Sequence, residues 1–449
     1  MSSASVFVFR RDLRLNDNLA LLKCVEDAKA DGSTVYPIFI FDPAQAKPSL
    51  NKYFTQRGFW YMIGALIHLR ETIPLVCLYG NCVDMIVEIV KKLSEKRRVR
   101  LYFNKDYTSY SQKRDNAIIE RVRDEVGPDI VFADGNDVVL GEWVFERPWG
   151  VFTAYHRFAE GHKVPKPIRA VMGKVQFDRI TNAIKGLKAV DLTEYRKRIE
   201  KGIDLENLFG VDLVGEGPAI ARLKSPISGY AKGRDNLSYK TSGLSVAIKF
   251  GCVSCRAVYW AHGNSEFRKQ LHWRDFYINV AYFKPWVLED NGKPGWNEGK
   301  YAIPKSIRPT VSYWNNNKKW FIRWCNGETG IDVVDAAMTE LNKTGFMHNR
   351  GRLIVSNFLI RLLRIDWRHG EQYFATHLID YDPSNNGLNW QFHAPGGLNA
   401  NWFRIYNPET QREDHDPDRK YVKKWLGDRT PGKVYFDYNK LRAWSLSKK

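Results

Sequence analysis

Between Gly345 and Phe392 the chain reads GFMHNRGRLIVSNFLIRLLRIDWRHGEQYFATHLIDYDPSNNGLNWQF. His348, Asn349, Arg350 and Arg352 open an apolar helical run, and Asp380, Asp382 and Asn386 follow around the turn-prone Pro383 and Gly387. Cations, carboxylates, amides and rings mixed in this way suit the capture of a polar, ring-bearing ligand inside a protein core, which a purely structural helix does not require. Upstream, Gln270, Trp273 and Arg274 are spaced so that a helix presents an amide, an indole and a guanidinium on one face, and Asn349, Arg352 and Leu353 share a face by the same rule. Taken singly, each has an ordinary explanation: a capped helix end, a solvated arginine, a half-buried tryptophan. Together, on two helices otherwise apolar on their inner sides, they read as the floor of a pocket.

The elements that must position these groups are legible from periodicity. Ser5 to Phe9, Thr34 to Phe41, Leu75 to Tyr79, Val99 to Phe103 and Asp129 to Ala133 are β-rich runs bounded by polar turns. Between them lie amphipathic segments, Phe59 to Arg70, Asp84 to Lys96 and Arg114 to Val126. This β-α alternation predicts an α/β domain with a doubly wound parallel sheet over residues 1–134. From 135 to 190 the periodicity breaks at Pro148, Pro165 and Pro167, predicting a long connector. Over 191–449 the β-runs vanish, and Glu266 to Tyr282, Thr329 to Leu341 and Asn349 to Leu363 repeat apolar residues at helical spacing, so a larger all-α domain is expected.

Composition narrows the class. The 449 residues carry 69 Lys+Arg against 50 Asp+Glu, a formal charge of +19, which points to a polyanionic partner such as nucleic acid, with a simply solvated basic surface as the alternative. Fifteen tryptophans interleaved with arginine suit base stacking and ring cofactors as well as cores. Six scattered cysteines follow no disulfide framework, and Cys252-x-x-Cys255 has no second Cys/His pair at zinc-like spacing, so both are read as structural and no metal is expected. The absence of a long apolar segment near the N-terminus, or of any run that could cross a bilayer, predicts an intracellular, soluble protein, cytoplasm and nucleus not being distinguished; a monomer is the expectation for its oligomeric state, which the sequence does not give. No G-x-G-x-x-G and no P-loop follows any strand, which removes the main support for a dinucleotide or NTPase reading.

Six blocks, FVFRRDLRLNDNLAL, QLHWRDFY, TGFMHNRGR, IDWRHG, DYDPSNNGLNW and FRIYNPETQ, resemble in order the successive signatures of the photolyase/cryptochrome family. The resemblance implies FAD in the helical domain, an antenna chromophore (deazaflavin or folate) in the α/β domain, and light-driven electron transfer from reduced FAD to a pyrimidine lesion in DNA. On it, Tyr230, Thr241, Ser242 and Ser245 match residues that cradle the flavin's phosphates and ribityl chain. Arg274 and Arg352 match flavin-pocket arginines, Arg352 paired with Asp380, while Asp382 and Asn386 match residues at the isoalloxazine edge and beside its N5; Asn385 leaves room for a one-residue shift. Trp390, Trp367 and Trp314 fall on the family's electron-transfer tryptophans.

The resemblance also implies a lesion pocket of Trp273, Asn349, Arg350 and Arg234, and here the sequence departs from the enzymes that repair cyclobutane pyrimidine dimers. Gln270 stands where they have glutamate, Leu353 replaces a frequent methionine and Phe392 a tryptophan. Leu and Phe preserve apolar character and ring stacking. Gln270 removes a charge-assisted bond and is typical of the (6-4) branch, which however has histidine where Asn349 and Leu353 stand. The GFMHNRGR and DYDP spelling is similar to DASH-type cryptochromes. Thr108 falls near a position where folate-binding members place glutamate, which speaks against a folate antenna and leaves deazaflavin or no antenna as equal expectations. The chain ends at Lys449, soon after the family core, which favours repair over signalling. The expectation is therefore a cyclobutane pyrimidine dimer photolyase near class I and DASH, with a blue-light photoreceptor and a (6-4) photolyase as alternatives. Lys318, Lys319, Arg323 and Lys423 are candidate phosphate contacts.

Overall fold

A computed structural model of the chain describes residues 2–127, 131–227, 229–288, 314–315, 317–394, 404–427 and 436–447. Two compact units are present: residues 1–202, 210–226 and 244–283 form the first, and 203–209, 227–243 and 284–449 the second. Compactness thus groups the helices between 244 and 283 with the sheet, a different partition from breaks at 134 and 190.

In the first unit, five parallel strands, β1 (Ser2–Phe9), β2 (Thr34–Phe41), β3 (Val76–Tyr79), β4 (Arg97–Asn104) and β5 (Val131–Gly135), lie in the order β3-β2-β1-β4-β5. Register is set by apolar pairs such as Val8↔Ile38 and Val6↔Leu101. Central parallel strands are buried on both faces, which is why VFVF in β1 is continuously apolar rather than alternating. Of the predicted strand at 129–133, residues 131–133 belong to β5; Asp129 and Ile130 lie outside the described residues.

Helices α1 (Leu19–Asp31), α2 (Gln56–Thr72), α3 (Cys82–Ser94) and α4 (Ser109–Glu125) connect these strands, starting at side-chain caps from Asn18, Thr55, Asn81 and Thr108. Ile86, Val90, Ile118 and Val122 pack on the sheet with Val6, Ile38 and Leu101. Beyond the sheet come α5 (Phe152–Glu160), a helix inside the expected connector, and α6 (Ser265–Phe283). Two buried polar side chains of α6 tie down the irregular backbone before α5. Asp275 Oδ2 accepts from Val139 N at 2.8 Å and Leu140 N at 3.2 Å, and Asn279 donates to the Val144 and Arg147 carbonyls at 2.6 and 2.8 Å.

The second unit is helical in its described residues: α7 (Lys318–Asn326), α8 (Asp332–Thr344), α9 (Asn349–Asn357), α10 (Trp367–His377), α11 (Pro383–His393) and α12 (Lys420–Leu426) are its principal elements. The run expected from Asn349 to Leu363 is α-helical only to Asn357 and continues as a π-helical turn, Phe358–Leu362. Nearby, the Trp324 indole donates to the Val355 carbonyl at 3.1 Å, an inserted side-chain bond of the kind that perturbs a helical ladder. The core gathers Trp324, Val334, Met338, Leu341, Ile354, Leu359, Phe374 and Trp390.

Gly370 marks the tightest point of that core, because a Cβ there would overlap the Trp390 ring and lie 2.6 Å from Leu359 Cδ2. Gly370→Ala should therefore overpack the junction of α10 and α11 and cost about 1–3 kcal/mol, read as a lower urea midpoint with an unchanged m-value.

Candidate functional site

Described within its own unit, the second unit brings together most of the polar residues singled out above. Arg352 Nη2 binds both oxygens of Asp380, at 3.1 and 3.0 Å, while its Nε donates to the Met347 carbonyl at 2.8 Å. The Asp380 side chain is almost wholly buried and that of Arg352 about three-quarters so. The guanidinium also lies over the Phe346 ring, 5.4 Å from its centroid. The expected pair is thus present, one guanidinium nitrogen reaching both carboxylate oxygens through charge-assisted bonds.

The turn from Asp380 into α11 adds a capped helix start. Asp382 is the N-cap and its Oδ1 accepts from Asn385 N at 2.9 Å and Asn385 Nδ2 at 3.0 Å, with Pro383 at the first helical position. Asn386, one turn in, is buried and donates through Nδ2 to Glu371 Oε1 at 3.1 Å. Tyr381 donates to the same Glu371 oxygen at 3.1 Å. Glu371 was missed in the sequence; a carboxylate on an amphipathic helix reads as solvent-facing, and only the fold shows it buried against Asn386. Asn385 and Asn386 therefore have separate tasks: the first belongs to the cap, the second faces a buried acceptor.

At the start of α9, Asn349 is exposed and Arg350 half-buried, Arg350 Nη2 pairing with Asp235 at 2.5 Å. Arg234, Asp235's neighbour, lies 3.9 Å from the same carboxylate, whose pKa falls chiefly through Arg350 and then Arg234, against a rise from desolvation. Leu353 and Phe392 are partly buried. Tyr230 is buried, while Thr241 and Ser242 are half-buried on an irregular segment. Trp390 is buried against Trp324 and Phe374, with ring centroids 6.1 and 5.0 Å away, and the partly buried Trp314 and Trp367 pack on that same core.

Four predicted site residues belong to the first unit. Trp273 stacks face to face on Phe152, centroids 3.6 Å apart and planes within 9°. Gln270 Nε2 donates to the Glu266 carbonyl at 3.2 Å, and Arg274 to the Asp137 carbonyl at 2.9 Å. Asp275, beside Arg274, is pushed up to about 7 by burial despite the guanidinium and two backbone N–H donors. Ser245 Oγ is buried with no hydrogen-bond partner among the described residues. An orphaned hydroxyl is costly unless a ligand or water completes it, so this atom fits the expectation of a phosphate or ribityl contact. Cys252 and Cys255 are buried and unpaired, their thiols pushed up by burial to about 11 and about 12, which suits packing and not redox exchange. Among the described residues no helix is long and apolar enough to cross a membrane, and no group of His, Cys, Asp or Glu could hold a metal ion.

Residues 5–171 match the family model described as DNA photolyase, and residues 267–438 match the FAD binding domain of DNA photolyase. A deoxyribodipyrimidine photo-lyase of Vibrio cholerae is 35% identical, the match covering 93% of this chain and 89% of that one. A deoxyribodipyrimidine photo-lyase of Synechococcus sp. is 29% identical over 95% of this chain and 88% of the other. An archaeal photolyase from Sulfolobus tokodaii, solved with two FAD molecules, superposes with a TM-score of 0.81 at 29% identity, covering 99% of each chain. An α/β sheet unit, a helical unit with a buried arginine-carboxylate pair, and two domain matches in the same order place this chain in the photolyase/cryptochrome family.

Proposed function

We propose that the protein is a photo-lyase that uses FAD and blue light to split cyclobutane pyrimidine dimers in DNA. The observation that carries this reading is Asn386: a buried neutral amide, already hydrogen-bonded to Glu371, at the position the family places beside flavin N5. A neutral amide neither protonates a reduced flavin nor repels its negative charge, as a carboxylic acid or carboxylate there would. When bound, FAD supplies a photoexcited electron; the protein supplies binding, orientation and electrostatics. Tyr230, Thr241, Ser242 and Ser245 would hold the phosphates and ribityl chain, Arg274, Arg352, Asp380 and Asp382 the ring system and its neighbours, and Trp390, Trp367 and Trp314 would relay electrons inward.

On the DNA side, Trp273 would stack on the flipped dinucleotide, Asn349 and Gln270 would hydrogen-bond its base edges, Leu353 and Phe392 would contact it through apolar surface, and Arg234 and Arg350 would meet the backbone. Extruding a damaged, already poorly stacked pair costs roughly a few kcal/mol, less than for an intact pair, and a mixed polar and aromatic pocket offsets it. Basic side chains including Lys318, Lys319, Arg323 and Lys423 would add phosphate contacts and make affinity fall with salt. The neutral amide of Gln270 favours the (6-4) lesion instead, and the absence of an imidazole at Asn349 and Leu353 opposes it. A cryptochrome-type photoreceptor would bind the same flavin without turnover. For an antenna chromophore, the Thr108 hydroxyl caps α4 and pairs with Ser111 Oγ at 2.8 Å, which speaks against a glutamate-dependent folate site and leaves deazaflavin or no antenna as equal readings.

Blue-light turnover of two oligonucleotides, one with a cyclobutane dimer and one with a (6-4) product, tests the choice: the first lesion alone should disappear. Turnover of the second alone, or of neither, overturns it. Asn349→Ala should lower dimer repair by about tenfold or more, the loss expected for one substrate hydrogen bond, while the flavin absorbance per protein stays at the wild-type level. Asp380→Asn removes the charge facing a largely buried Arg352 and should reduce both FAD retention and stability, by about 1–3 kcal/mol on a denaturant curve.

A further inference from the structure

In the second unit, one buried carboxylate has no part in the flavin or lesion contacts proposed above. Glu340, in the last turns of α8, is 8% exposed, and a single oxygen, Oε2, accepts from the Tyr421 hydroxyl at 2.5 Å and from the His348 backbone N–H at 3.1 Å. Burial pushes the Glu340 carboxyl up, and those two neutral donors, with the fields of Lys424 and Arg352, draw it back. Tyr421 is itself 2% exposed and belongs to α12, so one atom ties α8, α12 and the residue preceding α9 together.

His348 passes this constraint on. Its Nδ1 accepts from Arg350 N at 3.1 Å, which caps α9 and requires a neutral ring. Burial first, and then the charges of Arg350 and Arg352, lower its pKa to about 4, so it stays neutral at physiological pH. Asn349 sits between the two anchored residues, exposed to solvent. Arg352 bonds to the same Met347–His348 peptide through the Met347 carbonyl but has a separate anchor in Asp380. Releasing Glu340 therefore frees the Met347–His348 peptide and the cap on Arg350 N, loosening Asn349 and Arg350, while Asp380 still holds the Arg352 guanidinium.

We propose that Glu340 and Tyr421 form a latch that fixes Asn349 and Arg350 for damaged DNA, making both positioning residues of the DNA-facing side. The inference rests on the lesion-binding role given to Asn349 and Arg350 above. Glu340 acts through the backbone of His348 and does not touch the substrate.

The test uses the full FAD-loaded chain and an oligonucleotide carrying one cyclobutane dimer, with Glu340→Ala, Tyr421→Phe and Glu340→Gln compared to wild type. Glu340→Ala and Tyr421→Phe should raise KM about tenfold, with kcat at saturation and flavin content nearly unchanged. Glu340→Gln, whose amide oxygen can accept both bonds, should restore KM to near the wild-type value. Tyr421→Phe removes a bond without volume or charge and carries the test if Glu340→Ala fails to fold. Unchanged KM in Tyr421→Phe, or a fall confined to kcat and flavin content that Glu340→Gln does not rescue, overturns the latch. A wild type that ignores the dimer overturns the lesion reading and the latch with it, whereas a lesion-binding wild type with indifferent variants overturns the latch alone.

Discussion

Asp380 cannot be buried alone. A carboxylate removed from water costs several kcal/mol unless a cation and hydrogen bonds compensate it, so the placement of Asp380 dictates that of Arg352, and through Arg352 that of the loop before α9. That loop is correspondingly overdetermined. Gly345 adopts φ +71°, closing α8 by accepting a left-handed conformation that a side chain would resist. Its carbonyl accepts from Ile379 N at 2.8 Å, the residue next to Asp380. Phe346 stacks on Phe209 at 3.9 Å, and the Thr344 hydroxyl donates to the Glu340 carbonyl at 2.7 Å while accepting from Phe346 N at 3.0 Å. The two sequence blocks TGFMHNRGR and DYDPSNNGLNW are thus one structural object, joined by a backbone bond at Gly345 and an ion pair at Arg352.

The aromatic core around this object serves a proposed electron relay for the same reason that it serves stability. Electron transfer between rings depends on fixed geometry, and fixed geometry requires a core with neither cavity nor slack. Trp390 has that setting, edge-on to Trp324 and Phe374 and pressed against Gly370. Trp367 and Trp314 are only partly buried on the same core, so the three indoles span from enclosed to solvent-touching positions. A path that brings electrons from solvent to an enclosed flavin requires that order of exposure.

The sheet and most helices were legible because their periodicities are carried by local apolar spacing: every expected strand appears among the described residues, with ends displaced by at most a few positions. The connector was not, and Asp275 and Asn279 explain why. They satisfy backbone groups some 130 residues earlier in the chain, so the order of residues 139–149 is written in a distant helix. The same limit hid Glu340 and Glu371. Each sits on an amphipathic helix where a carboxylate ordinarily faces water, and each is buried because tyrosine, amide or backbone donors arrive from elsewhere. Composition registered the π-helical turn after Asn357 only as a continuing apolar run, since it departs from α-helix in bonding and not in residue type. The face shared by Gln270, Trp273 and Arg274 was correctly helical, but the Phe152 ring stacked on Trp273 comes from a segment with no readable period.

The first turn of α9 breaks a local rule in a way that ties fold to chemistry. Helix N-termini favour anions, and cations there oppose the macrodipole by about 0.3–1 kcal/mol each, yet this turn carries Arg350 and Arg352 and no acid. Asp235, half-exposed, and Asp380, almost wholly buried, offset the conflict from outside the helix. Such a conflict persists in folded proteins chiefly where function uses it. Two guanidiniums added to the positive end of a helix dipole concentrate positive potential at one point, with Asn349 exposed between the cap and the pair. An inner anionic cofactor and an outer polyanion could both draw on that potential, the first through Arg352 and the second through Arg350. The burial of their partners separates the roles proposed for them: Arg352, tied to a buried acid, suits a fixed ligand, while Arg350, paired to a half-exposed aspartate, suits exchange of that partner for a phosphate at little desolvation cost.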